Sequence, residues 1–214
     1  MEHLSSEQEQ IDQLKRWWKE NGKSLVLGLV LGIGGLAGYR YWDASETAKA
    51  QSASQNYELF LQLATEQQTD DARTTGTAII ENYAGSTYAR LSALLLAKIE
   101  VESGNVDAAK ALLETLVTSK DDSEIDVIAR TRLARIALSA GDTAAANTWL
   151  SQIPTNDDNT RFAELRADVM SAEGDKNGAR TMYLQALAQA QSLGLERGAI
   201  QLKLDNLGQS SASD

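Results

Sequence analysis

The sequence predicts an all-α protein in which a single N-terminal transmembrane helix precedes a solenoid of helical hairpins. Three observations support this prediction. The 214 residues include one proline, while alanine and leucine are abundant throughout. One long apolar run begins at Leu25. Downstream, a glycine followed by Asn or Asp recurs at intervals close to the length of one helical hairpin.

The apolar run extends from Leu25 to Gly38, and residues 24–42 together give 19 positions. At about 1.5 Å per helical residue this length spans roughly 28 Å, close to the hydrocarbon thickness of a bilayer. Aromatic residues flank both ends, as expected at two membrane interfaces: Trp17, Trp18, Tyr39, Tyr41 and Trp42. A cleavable signal peptide is the alternative, but it normally starts with a short positive segment. Because an acid-containing segment precedes the run, the sequence favours a retained anchor.

The charges around the span predict its orientation. Four cations precede it, namely Lys15, Arg16, Lys19 and Lys23, whereas only Arg40 and Lys49 lie close after it. By the positive-inside rule, residues 1–23 form a cytoplasmic tip. A capping box of Ser5 or Ser6 with Gln8 or Glu9 predicts a short amphipathic helix within this tip. Residues 24–42 then cross a membrane once, which is the bacterial inner membrane if the cell is Gram-negative. In a Gram-negative cell the remaining residues lie in the periplasm.

Three glycines of the span share one helix face, because Gly28, Gly32 and Gly35 are spaced i, i+4, i+7. Small residues on one face let a second membrane helix approach closely. We therefore expect this face to pack against a partner membrane protein or a second copy. A glycine-rich spacer without a partner is the alternative.

Composition excludes several functions for the exported part. Residues 1–42 carry five acids and five bases, so the net charge of −10 belongs to residues 43–214. A domain this acidic is a poor candidate for binding nucleic acid, because the phosphate backbone is also negatively charged. The protein has no cysteine, and its one histidine is His3. We therefore predict no enzyme activity, no catalytic or metal-binding residue and no cofactor.

Three copies of one unit follow the span. They align on Gly104, Gly141 and Gly174, each followed by Asn or Asp. Each copy has an alanine seven residues before the glycine and another five residues after it: Ala97 and Ala109, Ala134 and Ala146, Ala167 and Ala179. A glycine can end the first helix with positive φ, and the Asn or Asp can cap the second. The alanines would let the two helices pack closely.

These units resemble the tetratricopeptide repeat, a helix–turn–helix of similar length, over residues 88–187. The usual closing proline is present only as Pro154, so the units are degenerate. An earlier hairpin is predicted over 44–66 and 71–83, and a terminal helix over 196–207. The resulting domain covers residues 43–207, and residues 208–214 form a frayed tail.

The resemblance to tetratricopeptide repeats implies a groove that binds partner segments. Carried over by spacing, its candidate residues are Lys98, Thr131, Arg135, Arg161, Glu164 and Asp168. Lys98, Arg135 and Asp168 all lie six residues before a turn glycine. The groove would suit an extended polypeptide, and Arg135 could bind a carboxylate. The alternatives are an ordinary solvated helix face and a groove covered by a neighbouring helix of the same protein.

The sequence as a whole strongly resembles the YfgM-type ancillary subunit of the bacterial Sec translocon, chiefly through KRWWKENG at 15–22 and STYARLSALLLAK at 86–98. The resemblance implies association with the SecYEG channel and with a membrane-anchored periplasmic prolyl isomerase chaperone. It also implies a link to a stress-response regulator on the cytoplasmic side. The expected role is a scaffold that passes newly exported proteins to periplasmic chaperones. A scaffold for division or outer-membrane assembly is the alternative, and an exported enzyme is a more distant one.

Overall fold

The computed structural model describes residues 2–117, 124–153 and 160–209. These ranges contain nine α-helices and no strand: α1 (Glu2–Thr65), α2 (Thr69–Asn82), α3 (Thr87–Glu102), α4 (Val106–Val117), α5 (Glu124–Ser139), α6 (Thr143–Ser151), α7 (Thr160–Ala172), α8 (Lys176–Ser192) and α9 (Gly198–Gln209). The predicted all-α class is confirmed. The protein divides into two compact units, Met1–Ser52 and Ala53–Asp214.

The first unit is helical throughout its described residues, and α1 continues beyond it to Thr65. The two segments predicted at 24–42 and 44–66 thus belong to one helix, because no glycine or proline interrupts the backbone between them. Among the described residues no single helix has both the length and the hydropathy of a membrane span. The segments Leu14–Ser24 and Val26–Thr65, inclined at 41° to each other, meet both requirements only as a pair.

The second unit is a stack of helical hairpins. Its buried apolar residues form four clusters, and each cluster joins three consecutive helices: α1–α3, α3–α5, α5–α7 and α7–α9. The first cluster surrounds Phe60 and Ile79, and the second surrounds Leu113 and Leu133. Because α3, α5 and α7 each contribute to two clusters, every hairpin is packed on the next, as in a solenoid.

The predicted turns are present. Gly104, Gly141 and Gly174 have φ of 82°, 78° and 84°, a left-handed conformation that favours glycine after a helix. Asp142 and Asp175 cap the following helices. Their carboxylates accept hydrogen bonds at 2.9 Å from the backbone N–H groups three residues later, those of Ala145 and Gly178. Asn105 in the first turn differs from the predicted cap, because its side-chain amide donates to Glu100 Oε2 of the preceding helix at 2.8 Å.

The predicted close packing within hairpins is also confirmed. The six alanines that flank the three turn glycines are at most 1% exposed: Ala97, Ala109, Ala134, Ala146, Ala167 and Ala179. Ile99, Ile136 and Val169, five residues before each glycine, are buried as well. Small side chains at these positions leave room for the facing helix, so the alanine spacing sets the hairpin geometry.

The first helices of the hairpins lie side by side. Helix α3 contacts α5, and α5 contacts α7, whereas no comparable contact joins α4 to α6 or α6 to α8 among the described residues. This difference places α3, α5 and α7 on the inner side of the stack, and we call their shared surface the hairpin groove. Helix α9 packs on the last hairpin through Ile200, Leu204 and Leu207. Of the predicted frayed tail, residues 210–214 lie outside the described residues.

Candidate functional site

A cavity of about 340 Å³ opens between α3, α4 and α5 in the hairpin groove. Its apolar lining comes from Ala97, Val101, Leu113 and Ile136, and its charged lining from Lys98, Glu102, Arg132 and Arg135. We call this site the basic cavity. The structure therefore brings together Lys98 and Arg135, two groove residues that the sequence predicted from different repeats.

The charges of the basic cavity are unbalanced. Lys98 Nζ lies 3.6 Å from Glu102 Oε1, and both side chains are well exposed, so this pair is weak. Arg132 and Arg135 form no ion pair with any carboxylate that the structure describes. Three cations thus share the cavity with one anion, in a protein whose net charge is −10.

Arg132 is a site residue that the sequence analysis missed. Its guanidinium is partly buried and donates to the backbone carbonyl of Leu94 on α3. Burial lowers the pKa of Arg132, and the positive charge of Arg135 lowers it further. The sequence does hold one clue, because Arg132 and Arg135 are three residues apart and so share a helix face.

The groove at α7 is different, because helix α9 covers it. Lys203 Nζ lies 2.7 Å from both Glu164 Oε1 and Asp168 Oδ2. The buried hydroxyl of Tyr183 on α8 donates to Asp168 Oδ1 at 2.6 Å. Burial lowers the pKa of Lys203, but its hydrogen bonds to Asp168 and Glu164 outweigh burial and leave that pKa raised. We call these four side chains the α7–α9 network.

The remaining predicted residues fall elsewhere. Thr131 is buried, and its hydroxyl donates to the carbonyl of Val127 within α5 at 2.7 Å. The side chain of Arg161 lies outside the described part of the protein. Around the three span glycines there is open space, since a Cβ added at Gly28, Gly32 or Gly35 would meet no atom within 4 Å apart from its chain neighbours and the helix's own backbone. Their role in helix packing stays a prediction.

One buried ion pair joins the first two hairpins away from the basic cavity. Arg73 on α2 donates to Glu100 on α3 through Nε at 2.5 Å and Nη2 at 3.3 Å. The hydrogen bond from Arg73 holds the pKa of Glu100 below its usual range, although burial opposes this. Because both groups are already paired, this site has no charge left for a ligand.

Comparison with known proteins agrees with this architecture. The family profile described as "Tetratricopeptide repeat-like domain" matches residues 15–209. A protein of Haemophilus influenzae named "Ancillary SecYEG translocon subunit" is 31% identical over 97% of this sequence and 100% of its own length. The protein belongs to the family of ancillary SecYEG translocon subunits, whose domain is tetratricopeptide repeat-like.

Further relatives carry the same name. The Escherichia coli K12 protein is 30% identical over 97% of this sequence and 99% of its own length, and the Aggregatibacter actinomycetemcomitans protein is 29% identical over 97% and 100%. No solved structure matches the sequence significantly. Since the similarity to these family members runs through both units, it includes the N-terminal helix as well as the hairpins.

Proposed function

We propose that the protein is a membrane-anchored subunit of the bacterial Sec translocon, and that its exported hairpins pass newly translocated proteins to a periplasmic chaperone. The observation that carries this proposal is the near-full-length similarity to proteins named ancillary SecYEG translocon subunits. The hairpin stack fits a scaffold, because such stacks present extended surfaces to partner segments. The basic cavity is one open part of that surface, and we assign the contact with a partner to it.

The membrane anchor is proposed from the first unit. Its large apolar side chains are about half to two-thirds exposed between positions 26 and 36: Val26, Leu27, Leu29, Val30, Leu31, Ile33 and Leu36. Exposed apolar surface on this scale is costly in water and favourable in lipid. Together with the aromatic flanks and the preceding cations, this supports a cytoplasmic N-terminus and a periplasmic hairpin domain.

Three contacts complete the proposed role. The span, through the face of Gly28, Gly32 and Gly35, would dock on the SecYEG channel. The hairpin domain would hold a membrane-anchored prolyl isomerase chaperone, and residues 1–23 would reach a stress-response regulator in the cytoplasm. The family resemblance supports the latter two partners.

Topology can be tested with single cysteines, because the protein has none of its own. A membrane-impermeant maleimide applied to intact spheroplasts should label Ser151→Cys and leave Ser5→Cys unlabelled until the cells are lysed. The Ser5→Cys variant is the matched control for reagent leakage. Labelling of Ser5→Cys in intact spheroplasts, with Ser151→Cys protected, would reverse the proposed orientation.

Association can be tested by mild-detergent co-purification of the full-length protein from a Gram-negative host. We expect SecYEG and the chaperone to co-purify with the wild type. The triple variant Gly28→Leu, Gly32→Leu, Gly35→Leu should lose the channel, whereas the control Leu27→Ala, Leu31→Ala should retain it. Recovery of division or outer-membrane assembly proteins without the channel would contradict the proposal.

A further inference from the structure

The basic cavity contains positive charge that no group among the described residues neutralises. Arg132 and Arg135 belong to one face of α5, and neither has a carboxylate partner among those residues. Two like charges held near each other without counterions repel, and burial of one makes the arrangement more costly. Such an arrangement is stabilised by an anion that binds to both.

The Arg132 side chain is also held in place for such an anion. One guanidinium N–H donates to the Leu94 carbonyl and fixes the side chain against α3. The other guanidinium N–H groups donate to no acceptor that the structure describes. A planar guanidinium with free donors matches the geometry of a carboxylate, and a side chain already fixed loses less entropy on binding.

The apolar lining narrows the class of ligand. Ala97, Leu113 and Ile136 are buried, and Val101 adds an exposed apolar side chain beside them. A small inorganic anion would leave this surface uncovered. A peptide with an apolar side chain next to a carboxylate would cover the lining and reach the guanidinium groups at once.

We propose that the basic cavity binds a peptide segment in which a carboxylate lies beside an apolar side chain. The proposal rests on the partner-binding role proposed above for the hairpin groove and names the chemistry that the partner must supply. Charge complementarity selects this occupant, because the cavity is cationic within an acidic protein. The α7–α9 network supports the argument, since there the protein's own Lys203 already neutralises Glu164 and Asp168.

The proposal is tested by fluorescence anisotropy with the full-length protein purified in a nonionic detergent. The probe is a fluorescein-labelled octapeptide of alternating leucine and aspartate with an amidated C-terminus. Companion peptides replace aspartate by asparagine or by lysine. We expect the aspartate peptide to bind at least about tenfold more tightly than the asparagine peptide, and to weaken as salt is added. Equal binding of the aspartate and asparagine peptides would overturn the proposal.

The source of the carboxylate is tested with the asparagine peptide as a free acid. If this peptide binds as tightly as the amidated aspartate peptide, the ligand is the C-terminal carboxylate of a polypeptide. If it binds as weakly as its amide, the ligand is an acidic side chain. Both outcomes support a carboxylate site, whereas preference for the lysine peptide would contradict it.

Variants assign binding to the cavity. Arg132→Gln and Arg135→Gln should each weaken binding of the aspartate peptide at least about tenfold. Arg180→Gln removes the same charge from an exposed position on α8, outside the cavity, and should leave affinity unchanged. Circular dichroism would confirm that each variant keeps its helix content. If Arg135→Gln and Arg180→Gln bind alike, the cavity is not the site.

The outcome is separable from the test of the translocon role. Normal co-purification of SecYEG without peptide binding would overturn the carboxylate site alone. Peptide binding that depends on Arg135, without recovery of the channel, would overturn the translocon role and leave the cavity assignment in place.

Discussion

The hairpin groove carries opposite charges at one equivalent position of the repeat. Six residues before the turn glycine, α3 has Lys98 and α5 has Arg135, and both line the open basic cavity. In α7 the equivalent residue is Asp168, which is paired with Lys203 of α9. The backbone position is the same in all three helices, but among the described residues only the charge in α7 has a strong partner.

A groove position therefore becomes a candidate site through the groups that lie opposite to it. Ion pairs and the Tyr183 hydroxyl satisfy the acids of the α7–α9 network. This network therefore has a structural role. Arg135 has no such partner among the described residues, and its charge is available to a ligand. Binding sites are often less stable than they could be, because unsatisfied groups are kept for the partner.

The largest effect is expected when the α7 position is given the charge that α3 and α5 have. Asp168→Lys would place a second cation beside Lys203 and leave the Tyr183 hydroxyl without its acceptor. We expect the free energy of unfolding to fall by about 3 kcal/mol. Urea unfolding followed by circular dichroism measures this change, and hydrogen exchange should show α9 losing protection first.

The control for this variant is Glu114→Lys, which makes the same charge change at an exposed position of α4. It should change the free energy of unfolding by no more than about 0.5 kcal/mol. Equal losses for the two variants would show that net charge, and not the α7–α9 network, determines the result.

A smaller effect is expected when the lysine of either region is truncated, Lys203 in the α7–α9 network or Lys98 in the basic cavity. Lys203→Met should cost about 1–2 kcal/mol, less than for a fully buried pair because the Lys203 side chain is 37% exposed. Since the pKa of Lys203 is raised, its contribution is full at neutral pH and is lost only as the pH rises through that raised pKa. Lys98→Met should change stability by less than about 0.5 kcal/mol, because its pair with Glu102 is exposed. A larger loss for Lys98→Met would contradict the comparison.

Acid should weaken the pair between the first two hairpins. The pKa of Glu100 is lowered in the folded protein by the hydrogen bond from Arg73, so its contribution is present above the unfolded carboxyl pKa of about 4.3. It is lost as the pH falls through the lower folded pKa. Thermal melts from pH 7 to pH 3 should therefore show a steeper fall for the wild type than for Glu100→Gln. Glu114→Gln, which removes an exposed carboxyl from α4, should keep the steep fall; parallel curves for the wild type and Glu100→Gln would refute this interpretation.

The smallest effect on the free energy of unfolding is expected in the basic cavity. Arg135→Gln removes a cation that has no ion pair among the described residues and that repels Arg132 on the same helix face. The free energy of unfolding should stay within about 0.5 kcal/mol of the wild type or rise slightly. Arg73→Gln is the contrasting variant, since it breaks the pair with Glu100 and should lower the urea midpoint. A clear loss for Arg135→Gln would show that the residue has a structural partner.

The repeat frame could be predicted from the sequence because its signals are local. A turn glycine, the capping residue after it and two alanines at fixed distances determine where helices end and how closely they pack. The same spacing placed Lys98 and Arg135 on the groove. It also selected Thr131, which is buried, because a position carried over by spacing alone does not account for degenerate packing at that point.

The continuity of α1 could not be predicted in the same way. The apolar span and the polar segment after it differ in composition, which suggests two helices, yet the backbone between them has no residue that ends a helix. Composition shows which surroundings a segment favours, whereas helix ends depend on caps and breakers. The two signals are independent, and a change in one does not require a change in the other.

The sequence alone establishes the all-α class, the apolar segment with its flanks, the hairpin turns and the net negative charge of residues 43–214. Which groove charges are neutralised depends on the packing of the helices. Lys203 lies 35 residues from Asp168 in the sequence, and the contact forms because α9 folds back over α7. Arg132 reaches Leu94 across 38 residues in the same way. Helix periodicity determines which face a charge occupies, but the partner on the opposite side comes from long-range packing.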